Sequence, residues 1–417
     1  MHAILVLFAI KLSNKRLTTM KRIYKTIIDH HLQHYNQMMF VSGPRQVGKT
    51  TIARQYQETY AQFLYLNWDS LTDRKQIMEG VPDFAKNVLF SEKPLLVLDE
   101  IHKFKNWKNY LKGFFDTHKD KIQILVTGSA KLNIFRRGGD SLMGRYFLYR
   151  VNPLSVAELL RTDFPKVPVS PPQRIEQDIL DALLTFGGFP EPFIQQDNLF
   201  YQRWQNLRND QMLQEDIRTL SQVIDVDQLA LFALHLQNQT GQLVNYHNLA
   251  NKIQVSDQTI RRWIMLLNSC FYCFTIKPWS QNVTNSLIKM PKVYLTDWSI
   301  IQDKGARLEN FVACHLLKAV QLWNDVGLGQ YDLNFVRDKA QNEVDFLIIK
   351  TGKPWLLLEV KASHKAGLSK SLFLFKEKLK VPHALQVAAD LPYVERDCFS
   401  LTEPTIVPMT TFLSQLA

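Results

Sequence analysis

The stretch Met39–Tyr56, MFVSGPRQVGKTTIARQY, restricts the folds open to this chain more than any other. An apolar run ends at Val41, residues 43–50 fit G-x-x-x-x-G-K-[ST], and helical periodicity begins at Thr51. Strand, glycine loop and helix in that order form a cradle whose backbone N–H groups converge on a phosphate. Gly43, Pro44, Arg45, Gln46, Val47, Gly48, Lys49, Thr50 and Thr51 are its candidate residues. Lys49 would reach the β- and γ-phosphates of ATP, and the Thr50 hydroxyl would serve its Mg²⁺.

The next 100 residues supply partners for such a loop. Phe63–Leu66 reads as a second strand. Leu95–Leu98 is a continuous apolar run, the mark of a parallel strand buried on both faces, and it ends in Asp99-Glu100. Asp99 would hold the Mg²⁺ and Glu100 would polarise the attacking water. Trp107, Tyr110, Leu111, Phe114 and Phe115 recur at helical spacing and read as core. Ile122–Val126 is the next buried strand, closing in Thr127-Gly128-Ser129. A hydroxyl there, from Thr127 or Ser129, would orient the lytic water. Phe147–Val151 is a fifth strand, preceded by Arg136, Arg137 and Arg145. Arg145 is the first choice for an arginine donated across a subunit boundary, with a plain surface arginine as the equal alternative. A strand between loop and acidic run, with Glu beside Asp, points to an α/β P-loop domain of the additional-strand class.

At 417 residues the chain has room for two or three domains. Its net charge of +11 is uneven: in residues 1–150 basic side chains outnumber acidic ones two to one, which favours polyanionic partners such as DNA only weakly. The early apolar stretch Ala3–Ile10 is too short to span a bilayer and lacks a basic flank and cleavage site. Residues 1–19 read as an upstream extension before Met20. Four cysteines suit a reducing cytoplasm better than a disulfide framework. Cys270 and Cys273, among aromatics, read as buried strand residues, and His30, His31 and His34 as the polar side of a helix.

Several stretches together resemble one prokaryotic family. They are GPRQVGKT (43–50), LDEIHKF (98–104), TGSA (127–130), GRYFLYRVNPLS (144–155) and FGGFPEPF (186–193). The family is that of AAA+-type ATPases carrying a C-terminal domain of unknown function with a restriction-endonuclease-like fold. The likeness covers about residues 20–400. It implies ATP and Mg²⁺ as cofactors and a homo-oligomer in which one subunit's arginine serves its neighbour.

On this reading residues 20–158 are the ATPase core and 159–225 a helical lid, with Gly187-Gly188-Phe189-Pro190 as a turn. Residues 226–292 read as a winged helix-turn-helix. Asn245–Ile253 forms one helix, Gln254-Val255 a tight turn, and Ser256 caps Asp257–Asn268, with Phe271–Ile276 and the segment to Val293 as the wing. Such a second helix enters a DNA groove in some proteins and is a structural lid in others; both stay open.

Residues 293–417 carry a second pattern. A helical stripe around Leu308, Phe311 and Leu316 precedes strands at Leu333–Val336, Glu343–Ile349 and Trp355–Val360. A hairpin centred on Gly352 sets Asp345 opposite Glu359 and Glu343 opposite Lys361, all on one face. Facing carboxylates repel, so a divalent cation on Glu309, Asp345 and Glu359, with Lys361 beside it, would make a site. The competing reading is a Glu343–Lys361 salt bridge at a solvated sheet end. Helix, hairpin and Asp…Glu-Val-Lys resemble the PD-(D/E)XK nucleases, with Val344-Asp345 in place of Pro-Asp. A helix at Leu368–Leu379 and a strand at Ala384–Val387 would complete an αβββαβ core.

Overall fold

The computed structural model describes residues 20–80, 93–129, 142–212, 217, 226–280 and 290–416. Arg136 and Arg137 lie outside these residues. The chain divides into two compact units: one runs to Asn152 and includes Thr162–Phe164, the other takes Pro153–Arg161 and everything from Pro165 onward.

In the first unit, helix α1 (Ile23–His34) precedes strand β1 (Met38–Ser42), the short helix α2 (Lys49–Arg54) and strand β2 (Phe63–Asn67). A helix at Leu71–Met78, strand β3 (Leu95–Asp99), helix α3 (Trp107–His118) and strands β4 (Gln123–Gly128) and β5 (Tyr146–Arg150) follow. All five strands are parallel, in the order β2-β3-β4-β1-β5. The expected strands are thus present, each within a residue or two of its expected ends. The strand inserted between the loop strand and the acidic strand is β4, while β2, which lies between them in sequence, takes the sheet edge.

Both β1 and β3 are buried at every position, as continuous apolar runs demand. Met38, Phe40, Leu96, Leu98, Ile124 and Val126 pack against Trp107, Leu111, Phe114 and Phe115 of α3 in one core. The histidines of α1 divide. His30 stacks with His34 on the outside, but His31 is buried, with Nδ1 2.7 Å from the Tyr149 hydroxyl and Nε2 2.8 Å from the Gln37 carbonyl. The expected polar helix side therefore needs correcting at His31, which a hydroxyl and a carbonyl draw into the core.

The second unit begins with helices at Val156–Leu160, Gln177–Phe186, Pro190–Gln195, Asn198–Gln211 and Val226–Gln237. Helix α4 (Tyr246–Ile253) then packs on α5 (Asp257–Ser269) across a turn whose Gln254 has φ 61°. The side chains of Asn245 and Ser256 accept from Asn248 N and Thr259 N and cap these two helices.

Strands β6 (Cys273–Pro278) and β7 (Lys292–Leu295) pair antiparallel. Helix α6 (Lys304–Asp325) follows, then strands β8 (Tyr331–Arg337), β9 (Glu343–Lys350) and β10 (Lys353–Lys361), helix α7 (Lys370–Leu379) and strands β11 (His383–Ala388) and β12 (Thr405–Pro408). The strand order is β12-β11-β10-β9-β8-β6-β7. The two strands expected as a wing are therefore the end of a seven-stranded sheet, because β6 also pairs parallel with β8. The boundary expected after residue 292 falls inside β7. Cys270 and Cys273 are both buried.

No helix among the described residues is long and apolar enough to cross a membrane.

Candidate functional site

Strand β1 hands the chain to the glycine loop at a point of very close approach. A Cβ on Gly43 would lie 2.2 Å from the Val151 carbonyl oxygen, so only glycine lets β1 leave beside the end of β5. The loop then turns through Gln46 (φ 60°) and Gly48 (φ 98°) into α2. Lys49 is buried and folds back over the loop, donating to the carbonyls of Gly43 (2.9 Å) and Pro44 (2.7 Å). Behind the loop, buried Arg22 donates to the carbonyls of Val47 (2.7 Å) and Asn152 (2.8 Å), tying the loop to the chain leaving β5.

Asp99 closes β3 and is buried. Three hydroxyls converge on its carboxylate. Thr50 Oγ1 donates to Oδ2 at 2.8 Å and Tyr65 to the same oxygen at 2.5 Å, while Thr127 Oγ1 donates to Oδ1. The parallel register explains two of them. Thr127 sits level with Asp99 on β4, and Tyr65 is two residues before Asn67, which pairs with Asp99 on β2. Of the two hydroxyls left open by the sequence, Thr127 is the one bound to Asp99.

Glu100 follows in a left-handed conformation (φ 54°), uncommon for a side chain of this kind, and its N–H donates to the Thr127 carbonyl at 3.1 Å. Burial raises its carboxyl above the usual carboxylate range, partly offset by Lys49. His102 Nε2 and Lys103 Nζ stand 3.5 and 3.8 Å from its Oε2.

Arg145 is elsewhere. It precedes β5 at the end of the sheet opposite the loop, its carbonyl accepting from Met38 N. Six residues of extended chain, about 20 Å, separate that level from Gly43. The guanidinium forms a two-pronged pair with Asp116, at 2.8 and 2.9 Å.

Residues 35–160 match the family model described as an AAA domain. The first unit carries an AAA domain. Residues 177–305 and 304–410 match two domains of unknown function, DUF8612 and DUF4143. An uncharacterized protein of Haemophilus influenzae is 26% identical over 328 residues, covering 72% of this chain and 79% of its own length. One from Methanocaldococcus jannaschii is 21% identical over 414 residues, covering 88% and 84%. Among solved structures, AMPPCP-bound DnaA from Aquifex aeolicus aligns at 15% identity and TM-score 0.30, over 58% of this chain and 86% of that one. PCH-2 of C. elegans aligns at 14% identity and TM-score 0.24, over 51% and 63%.

The AAA domain thus brings Lys49, Thr50, Asp99 and Glu100 to one end of its sheet and leaves Arg145 at the other. Sequence reading missed Tyr65 and Arg22. Tyr65 sits in an unremarkable strand, and Arg22 precedes the loop by more than 20 residues without a motif.

The acidic pattern of the second unit is also assembled, but around a residue the sequence did not single out. The ladder of β9 and β10 runs to Phe346 opposite Leu358, one step short of Asp345 and Glu359. Lys292 of β7 sends its buried ammonium into this face: Glu343 Oε1 is at 2.7 Å, Asp345 Oδ1 and Glu309 Oε1 at 3.5 Å. Tyr294 donates to Glu309 Oε1 at 2.7 Å, and Lys361 to Glu359 Oε1 at 2.7 Å. Arg337 pairs with Glu343 at 2.8 Å and Lys361 with Glu359, so the Glu343–Lys361 bridge of the competing reading is replaced by two other pairs. Asn310 fixes Glu309 in place, because its amide exchanges two 2.7 Å hydrogen bonds with the backbone of Leu295 and closes the free edge of β7.

Burial and the nearby Asp345 push Glu309 up to about 7. Burial alone would lower the Lys292 ammonium, yet Glu309, Asp345 and Glu343 together hold it above its ordinary value. Among the described residues no three His, Cys, Asp or Glu side chains are grouped to hold a metal. The cation expected on Glu309, Asp345 and Glu359 does not fit this arrangement, since the Lys292 ammonium stands at Glu309 and Asp345 while Glu359 pairs with Lys361.

Proposed function

We propose that the chain is a Mg²⁺-dependent ATPase of the AAA+ type. The observation that carries this reading is the convergence of Thr50, Tyr65 and Thr127 on Asp99 beside the Lys49 loop. In it Lys49 exchanges its two loop carbonyls for the β- and γ-phosphates of ATP. Thr50 and Asp99 would hold the Mg²⁺, which would supply charge neutralisation to the bound nucleotide. Glu100, kept above the usual carboxylate range, takes the proton of the attacking water at its carboxylate. Thr127 and Tyr65 hold Asp99 in orientation. Arg145 cannot reach its own loop, so it serves a neighbouring copy, which makes the working form a homo-oligomer. Its pair with Asp116 is exposed and costs little to break.

Hydrolysis then moves the C-terminal part, with DNA as the candidate partner and the cytoplasm as the setting. Residues 159–225 act as the lid and α4–α5 as the DNA-facing or lid-forming helices. A second reading, an ATP-gated DNA-binding or scaffold switch that cuts nothing, is favoured by the Lys292 ammonium among the acids of the nuclease-like face.

Phosphate release by the purified chain, with and without DNA, tests the proposal beside Lys49→Ala and Glu100→Gln. Lys49→Ala is expected to lose ATP binding, and Glu100→Gln to bind ATP without turnover. Hydrolysis by both variants at the wild-type rate would remove the assignment.

A further inference from the structure

Three carboxylates gathered within 3.5 Å of one point repel each other strongly in a buried setting, so such a cluster forms only around positive charge. At the point shared by all three, a divalent ion and an ammonium are the candidate sources, since the Arg337 guanidinium meets Glu343 from another side. They exclude one another, because the ion needs its oxygens at about 2.0–2.6 Å and the ammonium occupies that centre with its own three donors. Here the ammonium is covalently supplied and held in place from both sides. Lys292 pairs with Ile276 of β6 and bridges to Leu243, and its side chain is only 4% exposed. A Cβ on Gly241 would come within 3.0 Å of Glu309 Oε1, so the backbone closes directly over the cluster. Asp345 Oδ2 is taken by the Val360 N–H at 2.9 Å, and Lys361 answers Glu359.

We propose that Lys292 is a built-in cation standing where a divalent ion would otherwise bind, so that the C-terminal unit is closed to metal and opens to it only when that side chain is removed. This rests on the reading of the unit as a non-cutting partner of the ATPase and assigns one residue as the reason. Lys292→Met keeps the apolar stem, ends one atom short of the ammonium position and deletes the charge, leaving the carboxylates with an unfilled centre. Lys292→Arg keeps the charge.

The test uses the full chain without nucleotide, so that the ATP site draws no metal, and Mn²⁺ as the probe, followed by electron paramagnetic resonance and by thermal unfolding. Wild type and Lys292→Arg are expected to take up no Mn²⁺ at millimolar concentration and to keep the same Tm. Lys292→Met is expected to bind one Mn²⁺ at least 100-fold more tightly than wild type. Its Tm falls and is recovered by the metal, and adding Asp345→Asn abolishes both effects. A folded Lys292→Met that gains no Mn²⁺ overturns the proposal. If that variant does not fold even with Mn²⁺, wild type decides: nucleotide-free uptake lost in Asp345→Asn overturns the proposal, and silence upholds it. Lys49-dependent ATP turnover is read separately, so failure here leaves the ATPase assignment standing and the converse also holds.

Discussion

Tyr65 places its hydroxyl 2.5 Å from the carboxylate of Asp99, on the neighbouring strand of the same parallel sheet. The tyrosine is itself held by Arg54, whose guanidinium lies 4.5 Å from the ring centre. Partners one step behind a metal ligand commonly change affinity by 10- to 100-fold. Tyr65→Phe is therefore expected to raise the Mg²⁺ concentration needed for half-maximal phosphate release about 10-fold, at saturating ATP. An unchanged Mg²⁺ curve would show that Thr50 and Thr127 orient Asp99 unaided.

Arg145 and the loop lie at opposite ends of one sheet, and this makes a complementation experiment decisive. Arg145→Ala and Lys49→Ala are each expected to be inactive alone. Mixed, they form interfaces with an intact loop on one copy and an intact arginine on the other, and part of the activity returns. Full turnover by Arg145→Ala, or a mixture that stays silent, would remove the arginine from the reaction.

His31 makes the AAA domain acid-sensitive. Burial, working against the Gln37 hydrogen bond, lowers its pKa to about 4. Between about pH 4 and 6.5 the unfolded chain binds this proton and the folded chain does not. Stability present above that window is lost as pH falls through it, at up to about 1.4 kcal/mol per pH unit from this group. Chemical denaturation from pH 7 to 4 is expected to show that slope in wild type and a flatter one in His31→Gln. Equal slopes would place the acid-labile group elsewhere.

Gly188 allows a close approach in the second unit. A Cβ there would sit 2.5 Å from Trp298 Cη2 and 2.8 Å from the Leu154 carbonyl oxygen. Gly188→Ala should cost about 3 kcal/mol, or roughly 6–12 °C in Tm. Gly113→Ala is the control, since its Cβ would meet nothing within 4 Å inside helix α3, where alanine gains up to about 1 kcal/mol over glycine. Similar melting of the two variants would mean that the Trp298 contact yields freely.

The strands of the AAA domain were legible because each is a short apolar run ending in a chemically distinctive tip, as at Asp99 and Thr127. Their order across the sheet was not, since nothing local in Phe63–Leu66 says that it takes the edge while β4 is inserted. On the acidic face the expected alignment of Asp345 with Glu359 agrees with the ladder, though through two offsetting features. The turn holds two residues, Thr351-Gly352, and an irregularity at Trp355 restores the register. Lys292 escaped notice because a lysine beginning a strand 53 positions before Asp345 has no spacing rule to connect them. The place of β7 at the end of the sheet, and Asn310 bonding to its Leu295, are tertiary facts. His31 was misjudged for a different reason: it continues the buried stripe of Ile23, Tyr24, Ile27 and Ile28, but its ring is polar and its partner Tyr149 lies far along the chain.

The irregularity at Trp355 also governs how this hairpin tolerates changes in length. It is the surplus residue between two matched segments, Pro354 facing Ile349 and Leu356 facing Ile348. Excising it would shorten the chain yet leave Glu359 level with Asp345, at the expense of the ring contacts with Tyr331, Trp323 and Phe399. Dropping Leu356, Leu357 or Leu358 instead would turn the following side chains over and carry the Glu359 carboxyl to the opposite surface of the sheet. Among these four deletions, only the one at Trp355 spares the acidic face.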